Sequence, residues 1–284
     1  ERLLKDGSEV VVVDNESAIS NDTFHWYASA NNHKVDIRDY DKIRPLFDGV
    51  DCVFHLAAFS RIQIAMKNPD ACLDVNYIGT NNLLKCAVEA GVKRFVNSST
   101  SSSYGLANTP PLREDMPTDC LNPYSASKVA AEILCQMYSK LHGLSTVTLR
   151  YFNVYGPRQP LKGTYAPVIG LFEEQKKARK PCTIVGDGEQ RRDFTHVSDV
   201  VEANMCAMQT NCNGVFNIGT GKNHSVNDIA KLVNNPYNTI QIPSRPGEAR
   251  ITLADNTKAK TLLGWEPKKE LHEYFENSSK ISWR

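Results

Sequence analysis

The 284-residue sequence predicts an α/β protein with a doubly wound, Rossmann-type parallel sheet and a smaller mixed α/β C-terminal lobe. Two observations indicate this fold class. Short apolar runs alternate with amphipathic helical patterns over the first two thirds of the chain. From about residue 154 onward, the sequence becomes richer in proline, glycine and charge. Strands that alternate with helices form parallel sheets, whose ligand crevice lies at the carboxyl ends of the strands.

The expected elements follow from apolar spacing and from stop signals. Apolar runs of strand length predict strands at residues 10–14, 52–56, 94–98, 146–150 and 215–218. Helical spacing predicts helices at residues 71–90, 124–142, 165–178 and 225–233. Gly143 is a typical helix stop, and Ser225 is a typical N-cap. Residues 219–221 (Gly-Thr-Gly) follow a late strand, and we interpret them as a turn rather than a phosphate loop.

The order of the elements suggests two lobes. We assign residues 1–153 and about 193–221 to the dinucleotide-binding domain, and about 154–192 with 222–284 to a substrate lobe. A dinucleotide fold opens with a strand and a Gly-rich loop that binds the pyrophosphate. Residues 1–7 look like the end of the helix that follows such a loop. We therefore expect the first strand and its glycines to lie upstream of residue 1.

Composition narrows the class of protein. The chain has 33 Lys+Arg against 32 Asp+Glu, a net charge of +1, which gives no reason to expect a nucleic acid or a membrane as its main partner. Its apolar runs are too short to span a bilayer. The eight cysteines are scattered without a C-x-x-C pair, which indicates reduced thiols in a cytoplasmic protein. The seven histidines are equally dispersed, so no metal site is proposed.

The strongest single motif is Asn-Pro-Tyr-Ser-Ala-Ser-Lys at residues 122–128. It places Tyr124 and Lys128 four residues apart, on one face of a helix. A nearby ammonium favours a phenolate, so we expect the pKa of Tyr124 to fall from about 10 towards the working pH. Tyr124 is then a candidate general acid and base. An exposed start of an amphipathic helix stays an open alternative, because this spacing often occurs by chance.

Three further features favour a dinucleotide-dependent enzyme. A hydroxyl-rich loop at residues 98–105 directly follows a predicted strand, which places it in the crevice. Asp14 closes another strand, where a carboxylate can bind the adenosine ribose hydroxyls and repel a 2′-phosphate, favouring NAD over NADP. Residues 55–58 (His-Leu-Ala-Ala) end a third strand with small side chains. The alternatives are a Ser-rich turn, a capping aspartate and a packed structural histidine at His55.

Together these motifs resemble the extended short-chain dehydrogenase/reductases, specifically their UDP-glucose and UDP-N-acetylglucosamine 4-epimerase branch. The resemblance covers nearly the whole chain. It rests on the two motifs at 98–105 and 122–128, and on residues 13–15, 35–37, 55–58, 75–80, 150–158, 191–197 and 245–248. So many matches in order are far more specific than any one motif.

The resemblance implies a role for each matching residue. The implied catalytic residues are Thr100, Tyr124 and Lys128. The implied NAD-binding residues are Asp14, Asn15, Asp36, Ile37, Leu56, Ala57, Ala58, Asn76, Tyr124, Lys128 and Tyr151. The residues implied to bind the UDP-sugar are Thr100, Asn153, Arg192, Arg245, Glu248 and Thr252. Arg192 and Arg245 would grip the diphosphate, since guanidinium groups suit phosphate oxygens; surface salt bridges are the alternative.

The implied reaction inverts the C4 hydroxyl of a UDP-hexose through a transient 4-keto sugar. Tyr124 exchanges a proton with O4 while NAD takes and returns the C4 hydride. Related 4,6-dehydratases carry Asp-Glu after the catalytic Thr, where this chain has Ser101 and Ser102. Related decarboxylases commonly have a Glu in this loop, and it is missing here as well. A non-catalytic dinucleotide-binding protein is the remaining alternative, although such proteins usually lack the Tyr or the Lys.

Two finer expectations also come from the resemblance. Thr252 corresponds to a position beside the sugar C2 substituent, where a small side chain leaves room for an N-acetyl group. We therefore expect UDP-GlcNAc and UDP-GalNAc as substrates, with UDP-glucose and UDP-galactose also accepted. Relatives commonly form homodimers through helices that correspond to residues 71–90 and 124–142.

Overall fold

The structure is a computed structural model that describes residues 1–18, 25–161, 166–244 and 249–280. For residues 277–280 it describes the backbone alone. The strands are β1 Val11–Asp14, β2 Asn31–Lys34, β3 Cys52–His55, β4 Arg94–Thr100, β5 Ser145–Tyr151, β6 Val154–Tyr155, β7 Cys182–Val185, β8 Arg191–Asp193, β9 Thr195–His196, β10 Gly214–Ile218, β11 Asn223–Ser225 and β12 Thr239–Ile242. The α-helices are α1 Arg2–Lys5, α2 Tyr40–Ile43, α3 Ile62–Lys67, α4 Pro69–Leu73, α5 Thr80–Glu89, α6 Pro123–His142, α7 Val168–Lys177, α8 Val197–Gln209, α9 Val226–Val233 and α10 Leu271–Lys280.

The strands and helices expected from apolar spacing are confirmed. The helix expected at 71–90 is α4 and α5, joined by a π-helical turn at Asp74–Gly79. Gly143 ends α6 in the left-handed conformation at φ 71°, which favours glycine. Ser225 caps α9 through a capping box with Asp228. Residues 1–7, expected to be helical, contain α1.

The central sheet is parallel and covered on both faces. Its strand order is β10-β5-β4-β3, and β4 is buried at every residue. Phe95 faces a cluster that includes side chains of α5 and α6, whereas Val96 faces a cluster that includes side chains of α8. β1 and β2 form a second parallel pair. The doubly wound parallel α/β fold expected from the sequence is therefore confirmed.

The C-terminal part has a core of its own with mixed strand pairing. β7 and β12 pair in parallel, while β8 and β11 pair antiparallel. α7, α9 and α10 pack around a third apolar cluster that includes Phe172, Ile229 and Phe275. The assignment of residues to the two lobes stays a prediction.

Two further observations concern the cysteines and the helices. All eight cysteines are free thiols. Among the residues that the structure describes, no helix combines the length and the apolar character needed to cross a membrane.

Candidate active site

The N-terminus of α6 positions the candidate acid/base pair. The Asn122 side chain accepts a hydrogen bond from the Ser125 amide at 2.9 Å, and Pro123 occupies the first turn, so the helix begins where the motif predicts. Tyr124 lies in the first turn and Lys128 one turn later. The Lys128 side chain is buried at 3% exposure, and no hydrogen bond or ion pair joins it to another described residue.

Burial sets the pKa of both members of the pair. Burial lowers the pKa of Lys128 to about 8, because a charged ammonium is poorly solvated there. Burial also raises the pKa of Tyr124, against a hydrogen bond to Thr100 and the charge of Arg61, both of which lower it. We expected the ammonium to pull the pKa of Tyr124 down, and that expectation is wrong for this structure. The cost of burying a phenolate cannot be seen from the Tyr-Lys spacing.

Thr100 ends β4 beside Tyr124. Its hydroxyl accepts a hydrogen bond from the Ser102 amide at 3.1 Å. The next four residues form a 3₁₀ turn, Ser101–Tyr104, and Ser103 donates back to the Thr100 carbonyl at 2.9 Å. The hydroxyl-rich loop therefore lies at the carboxyl end of a sheet strand, as the sequence predicted.

A cavity of about 200 Å³ opens next to this turn. Its lining includes Ser101, Ser102 and three residues predicted to bind a sugar nucleotide, Asn153, Arg192 and Thr252. The Asn153 side chain donates to the Asp193 carbonyl at 3.1 Å and to the Thr252 hydroxyl at 3.4 Å. None of the described lining residues is acidic. Arg245 and Glu248 lie outside the described residues.

The predicted adenosine-binding residues gather after β1 and β2. The Asn15 side chain donates to the Asp36 carboxylate at 2.8 Å, and Arg38 forms a salt bridge with that carboxylate at 2.8 Å. The Arg38 guanidinium holds the pKa of Asp36 well below its usual range. Asp14 accepts a hydrogen bond from the Glu16 amide at 2.6 Å. Ile37 is buried beneath Gly79, where a Cβ would come within 2.5 Å of the isoleucine side chain.

The loop after β3 presents an apolar surface. Leu56 is 61% exposed, an unusual fraction for a leucine that directly follows a sheet strand. Ala57 and Ala58 behind it are half-buried. His55, in contrast, is buried, bonds Thr80 through Nε2 at 2.8 Å, and has its pKa lowered to about 3 by burial. It is a packed structural histidine, as we interpreted it.

Two residues predicted to bind the cofactor form hydrogen bonds within the protein. The Asn76 amide oxygen accepts from the Phe59 amide at 2.7 Å, and its NH₂ group donates to the Ser127 hydroxyl at 2.9 Å. The Tyr151 hydroxyl bonds Ser98 at 3.1 Å and Asn204 of α8. These hydrogen bonds fix the orientation of both side chains, and their contact with the cofactor stays a prediction. A motif match cannot show which way a side chain points.

Two residues with clear roles escaped the sequence analysis. The buried Asp193 carboxylate accepts from the amides of Thr220, Gly221 and Ala254 at 2.8, 2.9 and 3.1 Å. Residues 219–221 are thus a turn around a carboxylate, as expected, and not a phosphate loop. Arg61, whose charge acts on Tyr124, is the second. Its signal in the sequence was a lone charge in the apolar segment 56–66.

The fold and the site define the class of protein. A doubly wound parallel sheet carries a half-buried tyrosine, a buried lysine on the same helix and a strand-end threonine, which is an arrangement suited to acid/base chemistry beside a dinucleotide. The family model described as GDP-mannose 4,6 dehydratase matches residues 1–278. The chain belongs to this family, the epimerase and dehydratase branch of the extended short-chain dehydrogenase/reductases, which confirms the resemblance.

Relatives of this chain are sugar-nucleotide epimerases by name. A UDP-glucuronate 4-epimerase of Thermodesulfobacterium geofontis is 33% identical, with 100% of this chain and 90% of that protein covered. A UDP-glucose 4-epimerase of Mycolicibacterium smegmatis is 36% identical, with 96% and 90% covered.

Solved structures agree with these relatives. The Thermotoga maritima UDP-glucose 4-epimerase with UDP-glucose is 35% identical, with a TM-score of 0.93 and coverage of 98% of this chain and 92% of that one. The Thermus thermophilus UDP-glucose 4-epimerase in complex with NAD is 30% identical, with a TM-score of 0.88 and coverage of 96% and 91%.

Proposed function

We propose that this protein is an NAD-dependent 4-epimerase of UDP-hexoses. One observation carries the proposal: Tyr124 and Lys128 lie on the first turns of α6, whose N-cap Asn122 lines the same cavity as Asn153, Arg192 and Thr252. Relatives and neighbouring structures named as UDP-sugar 4-epimerases support it, because they cover nearly the whole chain.

The chain's residues supply proton transfer and positioning. Tyr124 accepts the proton of the sugar O4 as the C4 hydroxyl becomes a ketone, and returns it when the hydroxyl reforms on the other face. Thr100, at the end of β4, lowers the pKa of Tyr124 and so favours this proton transfer. NAD, when bound, supplies a hydride acceptor and then the same hydride as donor, so it is unchanged over a full turnover.

The residues fit a bound dinucleotide. Lys128 is a buried cation without a protein partner among the described residues, and such a group is costly unless a ligand satisfies it. A nicotinamide ribose hydroxyl would do so. Asp14 at the end of β1 would bind the adenosine ribose and repel a 2′-phosphate, which favours NAD. The exposed Leu56 would supply an apolar surface for contact with the bound dinucleotide.

The cavity favours epimerisation over dehydration. A 4,6-dehydratase needs an additional acid and base to expel the C6 hydroxyl, and the corresponding residues are Ser101 and Ser102. Neither hydroxyl has the acidity or basicity for that step at neutral pH. The described lining contributes no carboxyl group in their place.

The sugar preference, the assembly and the location belong to the proposal as well. Thr252 lines the cavity and leaves room for an N-acetyl group, which favours UDP-GlcNAc and UDP-GalNAc over strict use of UDP-glucose.

Apolar side chains exposed on the two expected dimer helices favour a homodimer; they are Leu73, Tyr77, Ile78, Ile133, Met137 and Leu141. The eight free thiols favour a cytoplasmic enzyme.

Incubation with each sugar nucleotide tests the function. The full-length protein, with NAD and no added reductant, is mixed with UDP-GlcNAc or UDP-glucose, and the products are resolved by chromatography and mass. We expect the 4-epimer at unchanged mass, and loss of turnover in Tyr124→Phe. Tyr155→Phe is the matched control, because Tyr155 is a buried tyrosine of the smaller lobe. Loss of water or carbon dioxide from the substrate would contradict epimerisation.

A further inference from the structure

Three residues that line the cavity are arranged around one residue of β8. The Asn153 side chain donates to the Asp193 carbonyl at 3.1 Å and to the Thr252 hydroxyl at 3.4 Å. The Asp193 amide donates to the same hydroxyl at 3.4 Å. Arg192 is the preceding residue of the strand. The residues predicted to bind the sugar nucleotide therefore depend on the position of Asp193.

The Asp193 side chain is fully buried, and four hydrogen bonds converge on its carboxylate. One oxygen accepts from the Thr220 amide at 2.8 Å and from the Thr220 hydroxyl at 2.7 Å. The other accepts from the Gly221 amide at 2.9 Å and from the Ala254 amide at 3.1 Å. Burial raises the pKa of Asp193, and these hydrogen bonds oppose that effect. The carboxylate thus joins two segments that lie far apart in the sequence.

Ala254 belongs to a short segment, residues 250–255, that also carries Thr252. The segment pairs with β8 on one side and with Leu112 on the other. It packs so closely on the turn after β10 that a Cβ at Gly219 would come within 2.4 Å of the Ala254 Cβ. Glycine permits this close approach of two backbones. The position of Thr252 in the cavity wall therefore depends on the contact between the segment and the turn.

We propose that Asp193 is a positioning residue of the sugar-nucleotide site, which acts through Thr252 by joining the segment 250–255 to the turn 219–221. Without the carboxylate, the Ala254 amide loses its buried acceptor, so the segment is more stable where water can reach it. The fraction of molecules that present Thr252 correctly then falls, and the apparent affinity for the ligand falls with it. The effect on the ligand rests on the proposed function, whereas the effect on the segment does not.

Hydrogen exchange tests the effect on the segment without a substrate. Full-length protein without ligands is exchanged into D₂O, and mass spectrometry follows peptides that cover residues 250–255. We expect these peptides to exchange at least about tenfold faster in Asp193→Asn, because the new NH₂ group faces backbone donors that it cannot accept from. Peptides from β5 should be unchanged, which separates local opening from global unfolding. Asp193→Ser serves if the Asn variant does not fold.

Thr220→Val is the matched control, because it removes one hydrogen bond to the same carboxylate and keeps the bond from Ala254. Thr220 is also not among the described residues that line the cavity. This variant should leave the exchange of residues 250–255 and the KM for the sugar nucleotide unchanged. Unchanged exchange of the segment in Asp193→Asn and Asp193→Ser overturns the proposal.

Steady-state kinetics supply the readout on the ligand. With UDP-GlcNAc or UDP-glucose, we expect Asp193→Asn to raise KM about tenfold and to leave kcat within about twofold, because Tyr124 and Lys128 lie on α6 and not on the segment or the turn. A lower kcat at an unchanged KM would mean that Asp193 serves only the fold, and it overturns the proposal. Faster exchange of the segment in a protein that epimerises no UDP-hexose upholds the effect on the segment and refutes the proposed function instead.

Discussion

Tyr124 lies between influences that act on its hydroxyl in opposite directions. Burial raises its pKa, while Thr100 and Arg61 lower it. The sequence correctly predicted that Tyr124 and Lys128 are neighbours on one helix, because helical spacing alone decides this arrangement. The direction of the pKa shift could not be predicted, because it depends on how deeply the chain packs around the phenol.

The buried Lys128 ammonium should lower the free energy of unfolding, although the proposed function requires this residue. Its pKa of about 8 lies below the ordinary value of 10.5, so the charged form is less favourable in the folded than in the unfolded protein. The penalty is fully present below about pH 8 and fades as pH rises towards 10.5. We expect Lys128→Met to be inactive yet more stable at pH 7, by up to about 3 kcal/mol, in urea unfolding without ligands.

The pH dependence separates this effect from ordinary packing. The stability gained by Lys128→Met should shrink above pH 8, because the wild-type amine then loses its proton in the folded state. A variant that is less stable than the wild type at pH 7 would contradict the account of a buried, unpartnered ammonium.

Thr252 should set the response to the sugar C2 substituent. Its hydroxyl contacts Asn153 at 3.4 Å, and its side chain forms part of the cavity wall. We expect Thr252→Tyr to lose kcat/KM for UDP-GlcNAc by at least about tenfold more than for UDP-glucose, since the ring fills the space for the acetyl group.

Thr252→Val is the control for the sugar test, because it keeps the volume and removes only the hydroxyl. Thermal unfolding of both variants checks that the buried position tolerates the change. Intact turnover of UDP-GlcNAc by a folded Thr252→Tyr protein would refute the role of this position.

At the scale of elements, α6 links the site to the sheet. Glu132 on this helix forms a buried salt bridge with Arg150 of β5 at 2.7 Å, and Ser99 of β4 donates to the same carboxylate. Arg150 also lies over the Tyr104 ring at 4.8 Å. The middle of α6 is thereby held against the carboxyl ends of β4 and β5, where the proposed active site lies.

Breaking this pair should destabilise the protein strongly. Glu132→Ala leaves the Arg150 charge buried and unpaired, so we expect a loss of about 3–5 kcal/mol in the free energy of unfolding. A double change of Glu132 and Arg150 to Met should recover much of it, because neither partner then remains charged. Urea unfolding measures all three proteins.

The exposed pair of Lys93 and Asp51 supplies the control. Asp51→Ala should leave unfolding nearly unchanged, because water solvates both charges. An equally small effect for Glu132→Ala would show that the buried pair does not hold α6 in place.

The elements themselves were largely predictable from sequence. Apolar spacing and two caps, Gly143 and Ser225, located the main helices and strands, because these signals are local. The π-helical turn at Asp74–Gly79 was not predicted, since it inserts into a helix without changing the apolar pattern. The anchoring of Phe59 by Asn76 was missed for a related reason: it joins residues seventeen apart that no periodic pattern connects.

At the scale of the whole molecule, an apolar surface lies across the two expected dimer helices. Ile133 and Leu141 of α6 are 60% and 69% exposed, two turns apart on one face. We expect the wild type to sediment as a dimer and Ile133→Glu with Leu141→Glu to sediment as a monomer, because burying two carboxylates opposes association.

Leu262→Glu is the matched control for the dimer test, since Leu262 is an exposed leucine on the turn Ala259–Leu263. It should stay dimeric. A monomeric wild type, or a double variant that remains dimeric, would contradict the assignment of this surface.

The fate of the C4 hydrogen tests the central claim most directly. UDP-glucose or UDP-GlcNAc deuterated at C4 is incubated in ordinary water with the full-length protein and NAD, and the product is read by NMR and mass. Transient oxidation at C4 predicts a 4-epimer that retains the deuterium at C4, because the same hydride leaves and returns. Loss of the deuterium to solvent, or the absence of any 4-epimer, would contradict the account.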